Sequence, residues 1–209
     1  MHWAAVLLAA GAGSRMGHRP KCLLERDGQA LIRRTAHCLL DAGVQDLVVV
    51  LGHYAQEIAP ALSGLAVTVV FNPHPEQGII SSQRLGLQSV SAACDAVVMC
   101  LADQPLIETQ DITDLLQAFT QRPSNTDMVF PQVQGQPGNP VALSGAVRAT
   151  VLQANDNFGC QTWRQQHRAL VHAWASDNLH YITDLDSEAD IADLQQTGIH
   201  LRWPDATAA

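Results

Sequence analysis

Short, nearly all-apolar runs alternate with amphipathic segments along this chain. Trp3–Ala9, Asp46–Leu51, 66–71 and Ala96–Leu101 lack polar alternation and are rich in Val and Leu, the pattern of strands buried on both faces. Helical spacing fills the gaps between them. Residues 30–42 carry Leu31, Ala36, Leu39 and Leu40 and stop before Gly43, where a C-cap glycine belongs. Residues 53–62 predict a short helix broken or ended at Pro60, 81–90 a further helix, and 111–121 an amphipathic one bearing Leu115, Leu116 and Phe119. A strand over 128–131 is followed by the turn-rich stretch 134–140 and by helices over 144–154 and 159–167. Val171–Ala175 and 180–182 are weaker strands, and 187–196 is the last helix. Strands separated by helices predict an α/β architecture, a three-layer, doubly wound and mostly parallel sheet with right-handed crossovers. The expected organisation is a single domain over 1–203 with a disordered tail at 204–209. Ligands in such sheets sit beyond the carboxyl ends of the strands. The loop after Ala9 and the turn after Leu101 therefore fall on the ligand side.

That first loop is the most informative segment. Leu8, Ala9 and Ala10 give way to Gly11-Ala12-Gly13-Ser14-Arg15-Met16-Gly17, with Pro20-Lys21 close behind. Bare backbone N–H groups after a strand can approach a polyphosphate, and the two cations neutralise it. The loop fits neither standard phosphate fingerprint. No Lys-Ser/Thr pair follows at P-loop spacing, and Met16 occupies the third glycine position of GxGxxG. Arg15 and Lys21 read as phosphate contacts rather than as ordinary solvated charges.

The net charge of −8 argues against a nucleic-acid partner but not against a nucleotide, because a few local cations and a divalent metal can hold a triphosphate. Five scattered cysteines without CxxC indicate free thiols in a reducing compartment; Cys22, directly after Lys21, is the one nearest the loop. The apolar start has no basic leader, and no run reaches membrane-spanning length, so a cytoplasmic protein without membrane partners is expected.

Asp103 follows the strand Ala96–Leu101 directly. It reads as a metal ligand, with a helix N-cap as the plain alternative. In Thr183-Asp184-Leu185-Asp186-Ser187, one aspartate could complete a metal site while the other caps the next helix; two caps are the alternative. Gly78, Ser81 and Ser82 mark a helix N-terminus able to meet a base, ribose or phosphate, or simply a serine cap. Gly138, Asn139 and Pro140 form a turn that could line an acceptor pocket. The nine histidines form no metal or triad pattern.

Taken together, these motifs resemble nucleotidyltransferases of the molybdenum-cofactor type. The resemblance runs from Leu8-Ala9-Ala10-Gly11 through Arg15, Lys21, Asn72-Pro73, Gly78, Ser81-Ser82, Gly86, Ala102-Asp103-Gln104-Pro105, Gly138-Asn139-Pro140 and Asp184-Leu185-Asp186, over about residues 4–195. It implies a Rossmann-like nucleotidyltransferase fold and a Mg²⁺-dependent (or Mn²⁺-dependent) enzyme that transfers CMP from CTP to the phosphate of molybdopterin and releases pyrophosphate. The related guanylyltransferases usually show glycine at the position of Ala10, which favours CTP. On this resemblance Leu8, Ala9, Ala10, Gly11, Gly13, Ser14, Arg15, Lys21, Gly78, Ser81 and Ser82 bind the nucleotide. Arg15 and the loop hold the β- and γ-phosphates, and Lys21 meets the α-phosphoryl charge. The metal falls to Asp103 with Asp184 or Asp186, and the acceptor to Gly138, Asn139 and Pro140. Partners implied are CTP or another NTP, a phosphorylated pterin, and a molybdoenzyme or its maturation factor. The chain departs from the family at Asn139, at Ser187-Glu188 and at Gln161, where histidine, Thr-Pro and arginine are usual. Alternatives are a guanylyltransferase, a sugar- or alditol-phosphate nucleotidyltransferase, and a non-catalytic nucleotide- or cofactor-binding chaperone.

Overall fold

The computed structural model describes residues 1–204; apart from Pro204, the tail expected at 204–209 lies outside the described residues. In chain order the elements are β1 (Trp3–Ala9), β2 (Glu25–Arg26), β3 (Gln29–Ala30), α1 (Leu31–Asp41), β4 (Asp46–Leu51), α2 (Ala55–Ile58), β5 (Thr68–Phe71), α3 (Ile79–Ser89) and β6 (Ala96–Leu101). They continue with α4 (Thr109–Thr120), β7 (Met128–Val133), β8 (Gln136–Pro137), β9 (Val141–Ser144), α5 (Gly145–Gln153), α6 (Cys160–Gln166), β10 (Val171–Ala175), α7 (Glu188–Gln196) and β11 (Leu201–Arg202).

The main sheet has the order β10-β7-β9-β6-β1-β4-β5, with β8 attached to β7. Its centre is parallel: β1 pairs with β4 on one side and β6 on the other, and β5 extends β4. β9 runs antiparallel between β6 and β7. Alternate residues of the central strands feed two cores. Ala5 and Leu7 of β1 pack with Ile32 and Leu39 of α1 and with Leu115 and Phe119 of α4. Val6 and Leu8 pack with Leu87 of α3, Val147 and Val151 of α5, and Trp163 of α6. This is the expected three-layer arrangement, because a parallel strand covered on both faces must be apolar on both. Gly86 lets α3 settle on the sheet: a Cβ there would meet Val6 Cγ1 at 2.3 Å and Val50 Cγ2 at 3.1 Å.

A second, three-stranded sheet, β11-β2-β3, covers a separate cluster in which Met16 and Leu24 meet Leu106, Leu185, Ile191 and Leu201. Two sequence expectations are corrected. Residues 180–182 are not a strand but part of a 3-10 turn over Leu179–Ile182, started by the Asn178 side chain accepting from His180 N–H at 3.0 Å. Tyr181 there is fully buried, its hydroxyl donating to the Asp111 carbonyl at 2.9 Å. Residues 141–143, given no element between the turn at 134–140 and the helix from 144, belong to the strand β9, which lies inside the sheet. No described helix is long and apolar enough to cross a membrane.

Candidate active site

The chain leaves β1 toward β4 and later returns to pair β6 on the opposite side of β1. The crevice beyond the carboxyl ends of β1 and β6 is therefore the switch point where such sheets bind ligands. The loop after β1 forms one wall. Gly13 has φ +57°, and a Cβ on it would lie 2.2 Å from the Arg19 carbonyl oxygen, so only glycine lets the loop double back. The Gly13 carbonyl accepts from Met16 N–H at 2.9 Å and His18 N–H at 3.0 Å. Met16, the residue that spoils the dinucleotide fingerprint, is fully buried and pins the loop to the small core. Tyr54 Oη donates to the Ala12 carbonyl at 2.9 Å from the β4 side.

That loop brings Arg15 and Lys21 to the aspartates predicted from far along the chain. Lys21 Nζ lies 2.7 Å from Asp103 Oδ2 and 3.6 Å from Asp186 Oδ1, and it also donates to the Leu185 carbonyl. Arg15 Nη2 lies 2.9 Å from Asp186 Oδ1. Leu185 N–H donates to the Asp103 carbonyl at 3.0 Å, tying the 184–186 segment to the end of β6. Asp103 caps no helix: the N-cap of α4 is Glu108, in a reciprocal capping box with Asp111. Ser187, by contrast, caps α7 in a box with Asp190.

Burial, and then the negative charges of Asp103 and Asp186, push the Asp184 carboxyl up to about 6. Asp103 Oδ1 is buried without a hydrogen-bond partner. Among the described residues no group of three or more His, Cys, Asp or Glu is arranged to hold a metal by itself. Asp103, whose Oδ2 meets Lys21 while its Oδ1 has no partner, and Asp184, crowded by Asp103 and Asp186, are the carboxylates suited to a cation. A free buried lone pair beside a carboxylate that resists ionisation fits Mg²⁺, which takes one or two carboxylates and completes its shell with phosphate oxygens and water.

A cavity of about 530 Å³ opens beside this cluster, lined by Leu8, Ala10, Gly11, Ala12, Gly78 and Ser82 together with His53, Pro75, Glu76, Ile79, Leu101 and Asp103. Ser82 is buried and accepts from Asn72 Nδ2 at 2.9 Å. Ser81 accepts from the same nitrogen and donates to the Gly78 carbonyl at 2.8 Å, so its hydroxyl is engaged in the turn. Ala9 and Gly13 line a smaller cleft with Lys21 and Asp103, and Ser14 is exposed on the loop. A second cavity, about 360 Å³, shares Ile79 and Leu101 with the first and is lined by Gly138, Asn139, Gln161 and Arg164 among others. Gly138 is required by close approach: a Cβ would lie 2.7 Å from the Tyr181 carbonyl oxygen, which also accepts from Asn139 N–H at 2.9 Å. Pro140 is buried behind this turn. Cys22 is no nucleophile, since burial and then Asp103 push its thiol up to about 12. Sequence reasoning missed His53, Glu76 and Arg164, which sit in loops and a helix with no motif of their own.

Residues 5–171 match the model of the MobA-like NTP transferase domain. Among curated proteins, the chain is 29% identical over 173 residues to a nicotine blue oxidoreductase of Paenarthrobacter nicotinovorans, covering 79% of this chain and 83% of that protein. It is 33% identical over 122 residues to the bifunctional protein GlmU of Sorangium cellulosum, covering 55% of this chain but 26% of GlmU, so it spans about a quarter of that relative. Among solved structures, Rv0371c from Mycobacterium tuberculosis superposes with a TM-score of 0.77 at 24% identity, over 94% of this chain and 99% of that one.

Proposed function

Because this chain belongs to the MobA-like NTP transferase family, we propose that it transfers a nucleoside monophosphate, CMP from CTP, to the phosphate of a molybdopterin-type cofactor. One observation carries this reading. Lys21, Asp103, Asp186 and Arg15 form a single charge cluster at the mouth of a cavity walled by the glycine loop.

The nucleoside occupies the 530 Å³ cavity, with Ala10, Gly78 and Ser82 around it. The methyl of Ala10 narrows the wall that a glycine would leave open, and a pyrimidine is the smaller base. Arg15 and the N–H groups of the glycine loop hold the β- and γ-phosphates, and Lys21 exchanges Asp103 for the α-phosphoryl oxygens. Asp103 and Asp184 are the residues that would hold Mg²⁺, which supplies charge neutralisation of the triphosphate. An acceptor phosphate oxygen, already ionised near neutral pH, attacks the α-phosphorus. The new O–P bond forms as the bond to the β-phosphate oxygen breaks, and pyrophosphate leaves. No general base is needed, so catalysis is positioning plus electrostatic stabilisation. The acceptor lies in the adjoining cavity beside Gly138 and Asn139. The five cysteines, all free and buried, fit a reducing, cytoplasmic setting.

The test is pyrophosphate release from CTP, GTP, ATP and UTP, with and without molybdopterin and with Mg²⁺ or Mn²⁺. Release that needs the pterin and favours CTP is expected. GTP preference would favour a guanylyltransferase, and release with a sugar or alditol phosphate alone would replace the acceptor. Binding of CTP without release with any acceptor would favour a non-catalytic module. The name of the Paenarthrobacter relative adds one arm: reduced nicotinamide dinucleotide consumed without pyrophosphate release would overturn the transferase reading.

A further inference from the structure

Resting on that reading, we propose that the acceptor carries a second, non-reacting anionic group, and that Arg164 binds it at the end of the acceptor cavity away from the nucleotide. The cavity shares Ile79 and Leu101 with the nucleotide cavity at one end. At the other end Pro137 and Arg164 belong both to it and to an open cleft of about 490 Å³ that also holds Arg168. Between the ends the walls are largely apolar, with Ile80, Met99, Met128 and Val141, and no carboxylate lines the cavity.

Arg164 is partly buried and lies over the Phe130 ring, its guanidinium carbon 4.9 Å from the ring centroid. Every other partly buried cation among the described residues has an oxygen partner. Arg84 bonds the carbonyls of Val151 and Asn155, Arg148 those of Leu87 and Val90, Arg122 those of Phe119 and Thr126, and Arg33 those of Ala61 and Ser63. Arg26 and Arg34 meet Glu108, and Lys21 meets Asp103. Arg164 alone in this set has none. A guanidinium with five donors and no protein oxygen partner, set at the mouth of a cavity, is free to receive an oxyanion in place of water. The aromatic ring beneath holds it in place without satisfying a donor. The ligand class is thus a body with an apolar or aromatic middle and oxyanions at both ends: one attacks at the Leu101 end, and the other forms charge-assisted bonds to Arg164, with Arg168 alongside.

The experiment uses two probes on the whole protein, 2-naphthyl phosphate and 6-carboxy-2-naphthyl phosphate, titrated calorimetrically with CTP and Mg²⁺ present and again without them. In the wild type the carboxylated probe should bind about tenfold more tightly than the plain one, the scale of a charge-assisted hydrogen bond. Arg164→Gln should erase that preference while leaving the plain probe within about twofold, and Arg164→Lys should restore part of it. Equal binding of the two probes to the wild type, no binding of either, or an equal loss of both in Arg164→Gln would overturn the proposal. The outcome separates from that of the nucleotide reading. A probe preference without CTP binding sinks the nucleotidyl reading and leaves this subsite standing. CTP binding without a probe preference sinks the subsite alone.

Discussion

At the scale of single residues, the charges of the site neutralise one another in the free protein. Lys21 faces Asp103, and Arg15 faces Asp186. The Arg15 pair is open to solvent and contributes little to stability, which leaves Arg15 free to exchange partners, whereas Lys21 is held more closely by Asp103 and the Leu185 carbonyl. Asp103→Asn should lower pyrophosphate release by about 100-fold or more, the range found on removing one electrostatic contact to a transition state. Circular dichroism should show an unchanged fold; a folded Asp103→Asn enzyme with wild-type turnover would remove the metal assignment. Asp184 gives a pH signature. Its folded pKa of about 6 stands above its ordinary value near 3.8, so folding favours the protonated acid. Its unfavourable contribution is absent below about pH 4, grows as pH rises toward 6, and is constant above that. Thermal melts without divalent cation should show Asp184→Asn matching the wild type near pH 4 and exceeding it from pH 6 upward. Equal melting temperatures across the range would show that Asp184 is not charge-crowded. Arg15, Lys21, Asp103 and the glycines were legible because their order along the chain is itself informative. Arg164 was not, since a lone arginine in a helix reads as a solvated charge until its missing partner is seen.

Among the elements, β1, β4 and β6 fall where the apolar runs predict them, because strands buried on both faces leave an unbroken hydrophobic signal, whereas β10, an edge strand with no fully buried residue, leaves the weaker one. β9 was illegible: the last of its four residues, Ser144, is also the N-cap of α5, so strand and helix merge without a break. The two-residue strands β2, β3, β8 and β11 are too short to be read at all. Packing of α3 on the sheet gives one test. Gly86→Ala should destabilise by about 1–3 kcal/mol, the usual cost of overpacking, seen as a lower midpoint in urea. An unchanged midpoint would mean that α3 can lift from Val6. The cap of α7 gives another. Asp190 accepts from the N–H groups of Asp186 at 2.8 Å and Ser187 at 2.6 Å, directly after the segment that carries Asp184. Asp190→Ala should cost about 1 kcal/mol, and it should also raise the KM for nucleotide by loosening Asp186 beside Arg15. A loss of stability with unchanged KM would confine Asp190 to capping.

For the molecule as a whole, the sequence carried the layers and the ligand side of the sheet but not the second, small core. That core joins residues near 16–31 to residues near 185–201, and no local pattern signals a contact across such separations. Burial is also the common property of the five thiols. Desolvation pushes Cys22 and Cys160 each up to about 12. The native protein should therefore react negligibly with a thiol reagent at pH 8 and show five reactive groups only in denaturant; a fast-reacting thiol in the native state would contradict this packing. The small core has a consequence for the order in which the protein is made. Arg15 meets Asp186 across 171 positions, and the loop that carries Arg15 rests on Leu185, Ile191 and Leu201. During synthesis the strands of the main sheet can pair while those residues are still inside the ribosome, but the Arg15–Asp186 side of the candidate site cannot form. A nascent chain stopped after β10 should thus hold the strands of the main sheet yet lack the wall that carries Asp184 and Asp186, so the candidate site is completed after the sheet rather than with it.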